Sequence, residues 1–314
     1  MSATPPPAIG SQGAVGLRAE LVAVVITVDE GHPRVLASGR PPQLPAGPLR
    51  QDHQSLQDGV RAFAARQTGH TLGYVEQLYT FADLGRGPGA DRVVSISYLG
   101  LTRARDDVSA WMPIYDLLPW EDHRHICADA EPDRLLQEIE TALGRWTRSD
   151  AALEEERRDR CAHVFGHGDH PWRPELALHR YELLWEAGLV GESPTGGHPS
   201  GLTGPSMLHD HRRILATGLS RLRSALQYRP VVFELMPQTF TLGQLQEAVE
   251  ALAGQILHKQ NFRRLVEQQH ELVEPTGGTS RATGGRPAKL YRFRREVFTE
   301  RQQVGTKLPL PRAR

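Results

Sequence analysis

The sequence of 314 residues predicts a protein of the α+β class, because three different patterns follow one another along the chain. The run from Leu21 to Val28 is continuously apolar and rich in β-branched residues, which is typical of a buried strand. The middle of the chain has apolar residues at helical spacing. Near the end, two helical patterns joined through a glycine are followed by two short strand patterns, which is the order of a winged helix-turn-helix.

Composition supports a soluble, folded protein that resides in the cytoplasm. Hydrophobic residues make up 39% and charged residues 24%, as in ordinary globular domains, and the length favours two domains. No run approaches the roughly 18 apolar residues of a membrane span, and the start of the chain lacks a signal-peptide pattern. Two cysteines suit a reducing compartment. We expect disordered tails at 1–17 and 301–314.

Residues 18–120 are predicted to form an α/β domain. Its helix, Ser55 to Gln67, has apolar residues at helical spacing and ends at Gly69, which suits the left-handed position after a helix. The loops are expected at 44–48 and at Gly85–Gly89. The remaining predicted elements are the strands Leu21–Val28, Arg34–Ser38, Tyr74–Phe81 and Arg92–Leu101.

Residues 121–204 are predicted to be a helical insert that ends in a linker at Ser193–Gly201. One apolar stripe includes Leu135, Leu136, Ile139, Leu143 and Trp146, and a second includes Leu178, Tyr181, Leu184 and Trp185. A separate cluster, which suggests a metal site, consists of Cys161, His163, His167 and His170. Structural zinc sites use two separated ligand pairs, and only His163 and His167 have suitable spacing, so surface histidines in a loop are the preferred interpretation.

Residues 205–300 are predicted to form the winged helix-turn-helix. A long helix carries an apolar stripe that is either a dimer seam or a packing face within its own domain, and the sequence favours neither; the stripe is Ile214, Leu215, Leu219, Leu222 and Leu226. Thr241 is expected to cap the next helix, which Gly254 ends. The following helix begins at Lys259, and the strands at 272–273 and 290–293 flank a glycine-rich wing.

Charge separates this last part from the rest. From 205 to 314 there are 18 Lys+Arg and 9 Asp+Glu, a net charge of about +9. The rest of the chain has 19 Lys+Arg and 28 Asp+Glu, a net charge of about −9. This separation predicts contact with DNA phosphates, with a solvated basic face as the alternative. Arg286, in the wing, is expected to enter a minor groove. The candidate DNA-binding residues are Lys259, Gln260, Asn261, Arg263, Arg264, Arg281, Arg286 and Lys289.

Several motifs bring a family resemblance. The N-terminal part resembles the Nudix fold in the segments 44–47, 67–69, 74–81 and 111–118. The C-terminal part resembles the winged-helix part of Nudix-related transcriptional regulators of NAD metabolism in the segments 210–215, 228–235, 240–242, 261–264 and 285–291. The resemblance omits 121–204, so the chain is similar to a longer subgroup with an insert. It implies a Nudix-like α/β/α sandwich, a homodimer and a double-stranded DNA operator.

The Nudix box has lost its carboxylates. Active members bring several glutamates onto Mg²⁺, a cation that prefers oxygen ligands. Aligning the last glycine of the box with Gly69 places Gln54, Phe63, Arg66 and Gln67 at the glutamate positions, and a shift of one residue places His53, Ala62, Ala65 and Arg66 there. Asp58 is the one acid between Gln54 and Gln67. We therefore expect no catalytic residues, no metal and no cofactor.

The resemblance implies that the sandwich senses an NAD-related nucleotide such as ADP-ribose. It places Leu44, Gly47, Phe81 and Arg92 around the nucleotide, and Arg40 and Arg92 are the candidates for holding a pyrophosphate. The interpretation is a DNA-binding transcriptional regulator, and most simply a repressor. Two alternatives remain: a Nudix pyrophosphate hydrolase with an accessory domain, and a scaffold that binds partners through its acidic insert and touches nucleic acid non-specifically.

Overall fold

The computed structural model describes residues 17–69, 72–82, 92–103, 110–125, 133–195, 201–268, 272–280 and 287–294. The predicted tails, the loop Gly85–Gly89, most of the linker and the wing residues Arg281 and Arg286 lie outside these ranges. The strands of the described part are, in chain order, β1 Leu17–Asp29, β2 His32–Leu36, β3 Ala46–Pro48, β4 Tyr74–Phe81, β5 Arg92–Leu101, β6 Trp111–Pro113, β7 Phe240–Thr241, β8 Val273–Ser280 and β9 Ala288–Phe293.

The helices that the sequence predicts have bounds close to the expected ones, whereas α2 and α4 are not predicted. The seventh is capped as predicted, because Thr241 forms a capping box with Gln244. The first is capped by Ser55, whose hydroxyl accepts a hydrogen bond from the backbone N–H of Asp58. The helices of the described part are, in chain order, α1 Leu56–Thr68, α2 Ile114–Leu117, α3 Arg134–Thr147, α4 Glu154–Phe165, α5 Ala177–Glu186, α6 His211–Tyr228, α7 Leu242–Ala253 and α8 Lys259–Gln268.

The larger sheet has the order β4-β5-β1-β2-β6, with β3 added beside β1. Strand β1 runs parallel to β5 and antiparallel to β2 and β3. Its central residues, Leu21 to Ile26, have no exposed surface. Val22 and Val24 belong to one hydrophobic cluster and Leu21 and Ala23 to another, because successive side chains of a strand point to opposite faces. The predicted strand buried on both faces is confirmed.

Helices cover both faces of this sheet. On one face, α1 contributes Val60 and Phe63 to the cluster that holds Leu21. On the other face lies α6, which approaches so closely that a Cβ atom on Gly218 would lie 2.8 Å from the Cγ1 atom of Val24. The result is an α/β/α sandwich, as predicted.

The position of α6 decides between the two interpretations of its apolar stripe and bears on the predicted boundary at residue 205. All five apolar residues of its stripe are fully buried inside this chain, so the stripe is a packing face and does not form an exposed dimer seam. The helix also packs on β1, β4 and β5, although the predicted boundary at residue 205 groups it with the DNA reader. The physical reason is that an isolated sheet exposes two apolar faces, and α1 can cover only one of them.

The insert packs against the other side of α6. Helix α5 lies along α6, and Tyr181 and Leu184 are buried in the same hydrophobic cluster as Ile214 and Leu219. Trp185 departs from the predicted stripe, since 42% of its surface is exposed. The insert is therefore part of the main core.

The C-terminal part has the arrangement of a winged helix-turn-helix. Helices α7 and α8 are joined by a short turn after Gly254, and the three-stranded sheet has the order β7-β9-β8. Phe262 and Val266 bury one side of α8. Across the described ranges, no helix combines the length and apolar character that a membrane crossing requires.

Candidate nucleic-acid interface and nucleotide pocket

The outer face of α8 is polar and basic. Lys259, Gln260, Asn261, Arg263 and Arg264 are all exposed, while Phe262 between them points into the core. Among the described residues, no carboxylate forms an ion pair with Lys259, Arg263 or Arg264. Three cations and two amide side chains are thus available to a partner. An Arg, Asn or Gln on such a helix has the donors that base edges in a major groove accept.

The strands that follow α8 form an antiparallel hairpin. In it, β8 pairs with β9, Ser280 lies opposite Ala288, and the predicted wing tip with Arg281 and Arg286 lies beyond that pair, outside the described residues. Lys289 is exposed on β9 opposite Thr279. Nearer the core, Arg292 and Arg294 both contact the carboxylate of Glu274. Among the described residues of the hairpin, Lys289 is therefore the cation that forms no ion pair, and it lies near the tip.

Aromatic packing attaches this hairpin to the rest of the chain. The rings of Phe233 and Phe293 are stacked with their centroids 4.3 Å apart, and Phe240 adds a third ring 5.7 Å from Phe233. Phe233 lies in a short 3-10 turn, Val231–Glu234, that follows α6. The hairpin is thus held against the turn that follows α6.

The arginines of α6 have roles inside the protein. Arg212 and Arg223 are fully buried, and the first is paired with Glu192. Arg213 forms a hydrogen bond of 2.7 Å with Glu182, and Arg221 lies 3.8 Å from a carboxylate oxygen of Glu76. These four residues contribute to the basic count of the C-terminal part, but their charges are matched within the chain.

A buried charge cluster joins three parts of the molecule. Glu121, the first residue of the predicted insert, accepts two hydrogen bonds from Arg180 of α5, at 2.6 and 2.9 Å. It also accepts a hydrogen bond from Arg223 of α6. All three side chains have no exposed surface. Burial alone would raise the pKa of Glu121, but the two guanidinium groups outweigh burial and lower it.

The same cluster reaches the helix-turn-helix. The Nε atom of Arg223 donates to the carbonyl oxygen of Leu252 at 2.9 Å, and the hydroxyl of Tyr115 donates to the carbonyl of Ala251 at 2.5 Å. Gly254 closes α7 with φ of 69°, and its carbonyl accepts a hydrogen bond from the backbone of His123. A Cβ atom on Gly254 would lie 2.2 Å from the backbone oxygen of Glu121. The turn before α8 therefore rests directly on the charge cluster.

The predicted nucleotide residues lie in different surroundings. Arg40 is exposed and Gly47 is half-buried on β3, whereas the side chain of Arg92 lies outside the described part. Leu44 and Phe81 are buried in one hydrophobic cluster, with 1% and 8% of their surface exposed. These two residues have packing roles because they are apolar and lie at the same helix-covered face of the sheet. The assignment of all five to a ligand stays a prediction.

Two contacts near this predicted pocket come from α6 and were not predicted. The Nδ1 atom of His211 accepts a hydrogen bond of 2.8 Å from the backbone N–H of Leu44, and both residues are buried. The guanidinium of Arg213 lies 5.4 Å from the centre of the Phe81 ring. The loop at 40–47 is thus tied to the first turn of α6, the helix that also carries Arg223.

The segment predicted to be a degenerate Nudix box lies on α1 and just before it. Phe63 is buried beneath β1, while Arg66 is exposed. Asp58 accepts a hydrogen bond of 2.7 Å from the Ser55 hydroxyl, so its carboxylate serves the helix cap.

The histidine cluster of the insert does not gather around one point. The expected loop is wrong for His163, which lies in α4. His163 and His170 are exposed, with ring centroids 5.6 Å apart. Cys161 is buried, which raises the pKa of its thiol to about 11 and keeps it protonated at neutral pH. Within the described ranges, no three His, Cys, Asp or Glu residues are placed to hold a metal ion together.

Comparisons with known proteins match the C-terminal part most specifically. Residues 232–293 match the family described as the NrtR DNA-binding winged helix domain. A curated relative, the ADPR responsive transcriptional repressor NtrR of Acinetobacter baylyi, is 39% identical over 84 residues. That match spans 27% of this chain and 33% of the relative, so the chain covers about a third of the curated relative's length.

Solved structures share the whole fold. NrtR of Shewanella oneidensis in complex with a 27mer DNA superposes with a TM-score of 0.55 and 20% identity, covering 90% of this chain and 95% of that one. NrtR of the same organism without DNA gives a TM-score of 0.52, also at 20% identity, over 89% and 95% of the two chains. The predicted fold class and the resemblance to Nudix-related regulators are confirmed.

Proposed function

We propose that this chain is a transcriptional regulator, acting as a repressor, that binds a double-stranded DNA operator as a homodimer. The observation that carries the proposal is the face of α8 with Lys259, Arg263 and Arg264. These cations are exposed and unpaired among the described residues, and they lie in the segment that matches a DNA-binding winged helix domain. A basic recognition helix followed by a hairpin is the arrangement that places side chains in a major groove.

The effector is proposed to be an NAD-related nucleotide such as ADP-ribose, bound by the sandwich. The support is the similarity of part of the chain to a repressor named as ADPR responsive. The hydrogen bond from Leu44 to His211 gives such a ligand a physical connection to α6. If the nucleotide changes DNA affinity, DNA must change nucleotide affinity by the same factor.

The sandwich is proposed to bind its nucleotide without hydrolysing it. The box positions hold Gln54, Phe63 and Arg66 where metal ligands are needed, and Asp58 is engaged by Ser55. Incubation with ADP-ribose and Mg²⁺ should yield no product, and turnover approaching a typical enzymatic kcat of about 1–10³ s⁻¹ would establish the hydrolase alternative.

The DNA-binding proposal is tested by substitutions on α8. Selection from a random DNA library should yield a two-fold symmetric site, and Arg263→Ala or Arg264→Ala should weaken binding to it by about 1–3 kcal/mol. Arg134→Ala is the matched control, because Arg134 is an arginine of the insert whose side chain is 91% exposed. Affinity should fall steeply with salt as counterions are released.

The outcomes separate the regulator from a non-specific binder. A regulator loses affinity for its selected site when α8 is changed and keeps it when Arg134 is changed. If both α8 variants bind that site as tightly as the control, or if selection yields no symmetric site, the assignment of α8 as the reading helix is wrong.

A further inference from the structure

The helical insert contains a cavity of about 250 Å³ that neither the DNA reader nor the predicted nucleotide pocket uses. It lies between α3, the segment that follows α4, and His123. An apolar cavity of about 150 Å³ already accommodates benzene, so this space is large enough for one ring or two fused rings. The cavity is therefore of a size to bind a compact ring compound.

Aromatic side chains form one wall of the cavity. Phe165, His167, Trp172 and His123 line it, and Leu136 and Leu143 of α3 face them. Trp172 is held from two directions: its ring centroid lies 3.7 Å from that of His123 and 3.7 Å from the guanidinium carbon of Arg180. Phe165 is buried. The wall is thus formed before any ligand arrives, which is typical of small-molecule sites.

The charged groups that line the cavity are carboxylates. Asp133 and Glu140 belong to it, whereas no Lys or Arg stands among its described lining residues. The Asp133 carboxylate caps α3 through the N–H of Leu135 and lies 2.7 Å from the imidazole of His125. Glu140 has no hydrogen bond or ion pair within the described part of the chain. Burial lowers the pKa of His123 to about 4, so that ring is neutral at pH 7.

We propose that this cavity is a binding site for a compact, flat organic cation of the N-alkylated heteroaromatic class. The apolar and aromatic wall accommodates a flat ring, and the carboxylate of Glu140 favours a positive charge on that ring. A phosphate or carboxylate ligand would meet Glu140 without a compensating cation from the wall. The site goes beyond the proposed function, and binding to it does not depend on whether the chain binds DNA.

The test compares three probes that share a bicyclic ring and differ in charge. N-methylquinolinium is a cation, quinoline N-oxide is neutral, and quinoline-2-carboxylate is an anion. Calorimetric titration of the full chain should show binding of the cation, with weaker binding of the neutral probe and none of the anion. Thermal unfolding should shift upward as the cation concentration rises, since a ligand of the folded state stabilises it by mass action.

Variants locate the binding to this cavity. Glu140→Gln should weaken binding of the cation about fivefold, the effect of losing one exposed charge interaction. Glu155→Gln is the control, because Glu155 is likewise exposed on a helix of the insert but does not line the cavity. Leu136→Trp should abolish binding by filling the space, and its thermal unfolding shows whether it folds. Equal binding of anion and cation, no binding of the cation, or an equal response of the two glutamine variants would each overturn the proposal.

Discussion

Glu121 is a carboxylate without exposed surface, and such a group is costly unless its charge is compensated where it lies. Here the compensation comes from Arg180 and Arg223, which are equally buried. The remaining donors of both guanidinium groups bind backbone carbonyls, including those of Val164 and Leu252. Each member of the cluster therefore depends on the others, and the loss of one leaves uncompensated charge in the core.

Removal of the carboxylate charge should be strongly destabilising. Glu121→Gln keeps the shape of the side chain but leaves two buried guanidinium groups facing a neutral amide, which should cost about 3–5 kcal/mol of unfolding free energy. Glu138→Gln is the control, because Glu138 pairs with Arg134 on the surface, where such a pair contributes about 0–1 kcal/mol. Urea unfolding at pH 7 measures both. Equal midpoints for the two variants would show that the cluster does not stabilise the fold.

His123 should make stability depend on pH. Burial lowers its pKa from 6.5 to about 4, so between these values the unfolded chain binds more protons than the folded one. Stability therefore rises with pH across this window and is lost as pH falls from 6.5 towards 4. His123→Asn should reduce the loss between pH 7 and pH 5 by about 1–2 kcal/mol. The measurement is urea unfolding of both proteins at the two pH values, and identical losses would contradict the assignment.

Residue types explain which features the sequence could predict. The caps at Ser55 and Thr241 and the turns at Gly69 and Gly254 could be predicted, because each depends on neighbouring residues. The buried partners of Glu121 could not, since charged residues are usually exposed and Arg223 lies 102 positions away in the sequence.

At the scale of elements, α6 shows how far an apolar stripe can be interpreted. The stripe predicts a buried face, and the face is buried, but the pattern does not specify the partner. Gly218, at the centre of α6, marks the partner of this face, because it lies where the helix meets Val24 of β1. A glycine in the middle of a long helix usually reflects such a close approach.

Adding one methyl group at this contact should destabilise the sandwich. In Gly218→Ala the new Cβ atom would lie 2.8 Å from Val24, so β1 or α6 must shift, at a cost of about 1–3 kcal/mol. Gly144→Ala is the matched control in α3, because its nearest neighbour is the flexible Arg148 side chain at 3.5 Å. That control should gain up to about 1 kcal/mol from helix propensity. Thermal unfolding measures both: relative to the wild type, the unfolding temperature should fall for Gly218→Ala and rise for Gly144→Ala.

At the scale of the whole molecule, the neutral total charge conceals two kinds of cation. Arg212 and Arg223 hold the core together, and Arg213 and Arg221 form pairs with carboxylates of other elements. The basic C-terminal count overstates the charge available to DNA for this reason. Among the described residues of the C-terminal part, the cations of α8 and Lys289 of the hairpin remain available. The position of α8 follows from the charge cluster that holds the turn before it. The sequence predicts the winged helix-turn-helix but not how it is held on the rest of the chain, because that depends on contacts between distant segments.

This attachment leads to a prediction about Gly254. Gly254 and Gly69 both end a helix with nearly the same positive φ, 69° and 68°, so an alanine at either position meets the same backbone strain of about 1–2 kcal/mol. They differ in surroundings: nothing lies within 4 Å of a Cβ atom on Gly69, whereas at Gly254 it would lie 2.2 Å from the backbone oxygen of Glu121. Gly254→Ala should therefore lose about 1–3 kcal/mol more stability than Gly69→Ala.

The same pair of variants tests whether the attachment matters for DNA. In the proposed homodimer, a symmetric operator fixes the distance between the two copies of α8. A helix α8 displaced from the charge cluster must therefore be brought back at a free-energy cost when the protein binds the operator. Gly254→Ala should bind the selected operator more weakly than Gly69→Ala, while both bind a single half-site alike, because α8 itself is unchanged. Equal operator affinities would show that the turn before α8 is not a point of attachment. A parallel loss at the half-site would instead show that the reading helix itself is distorted.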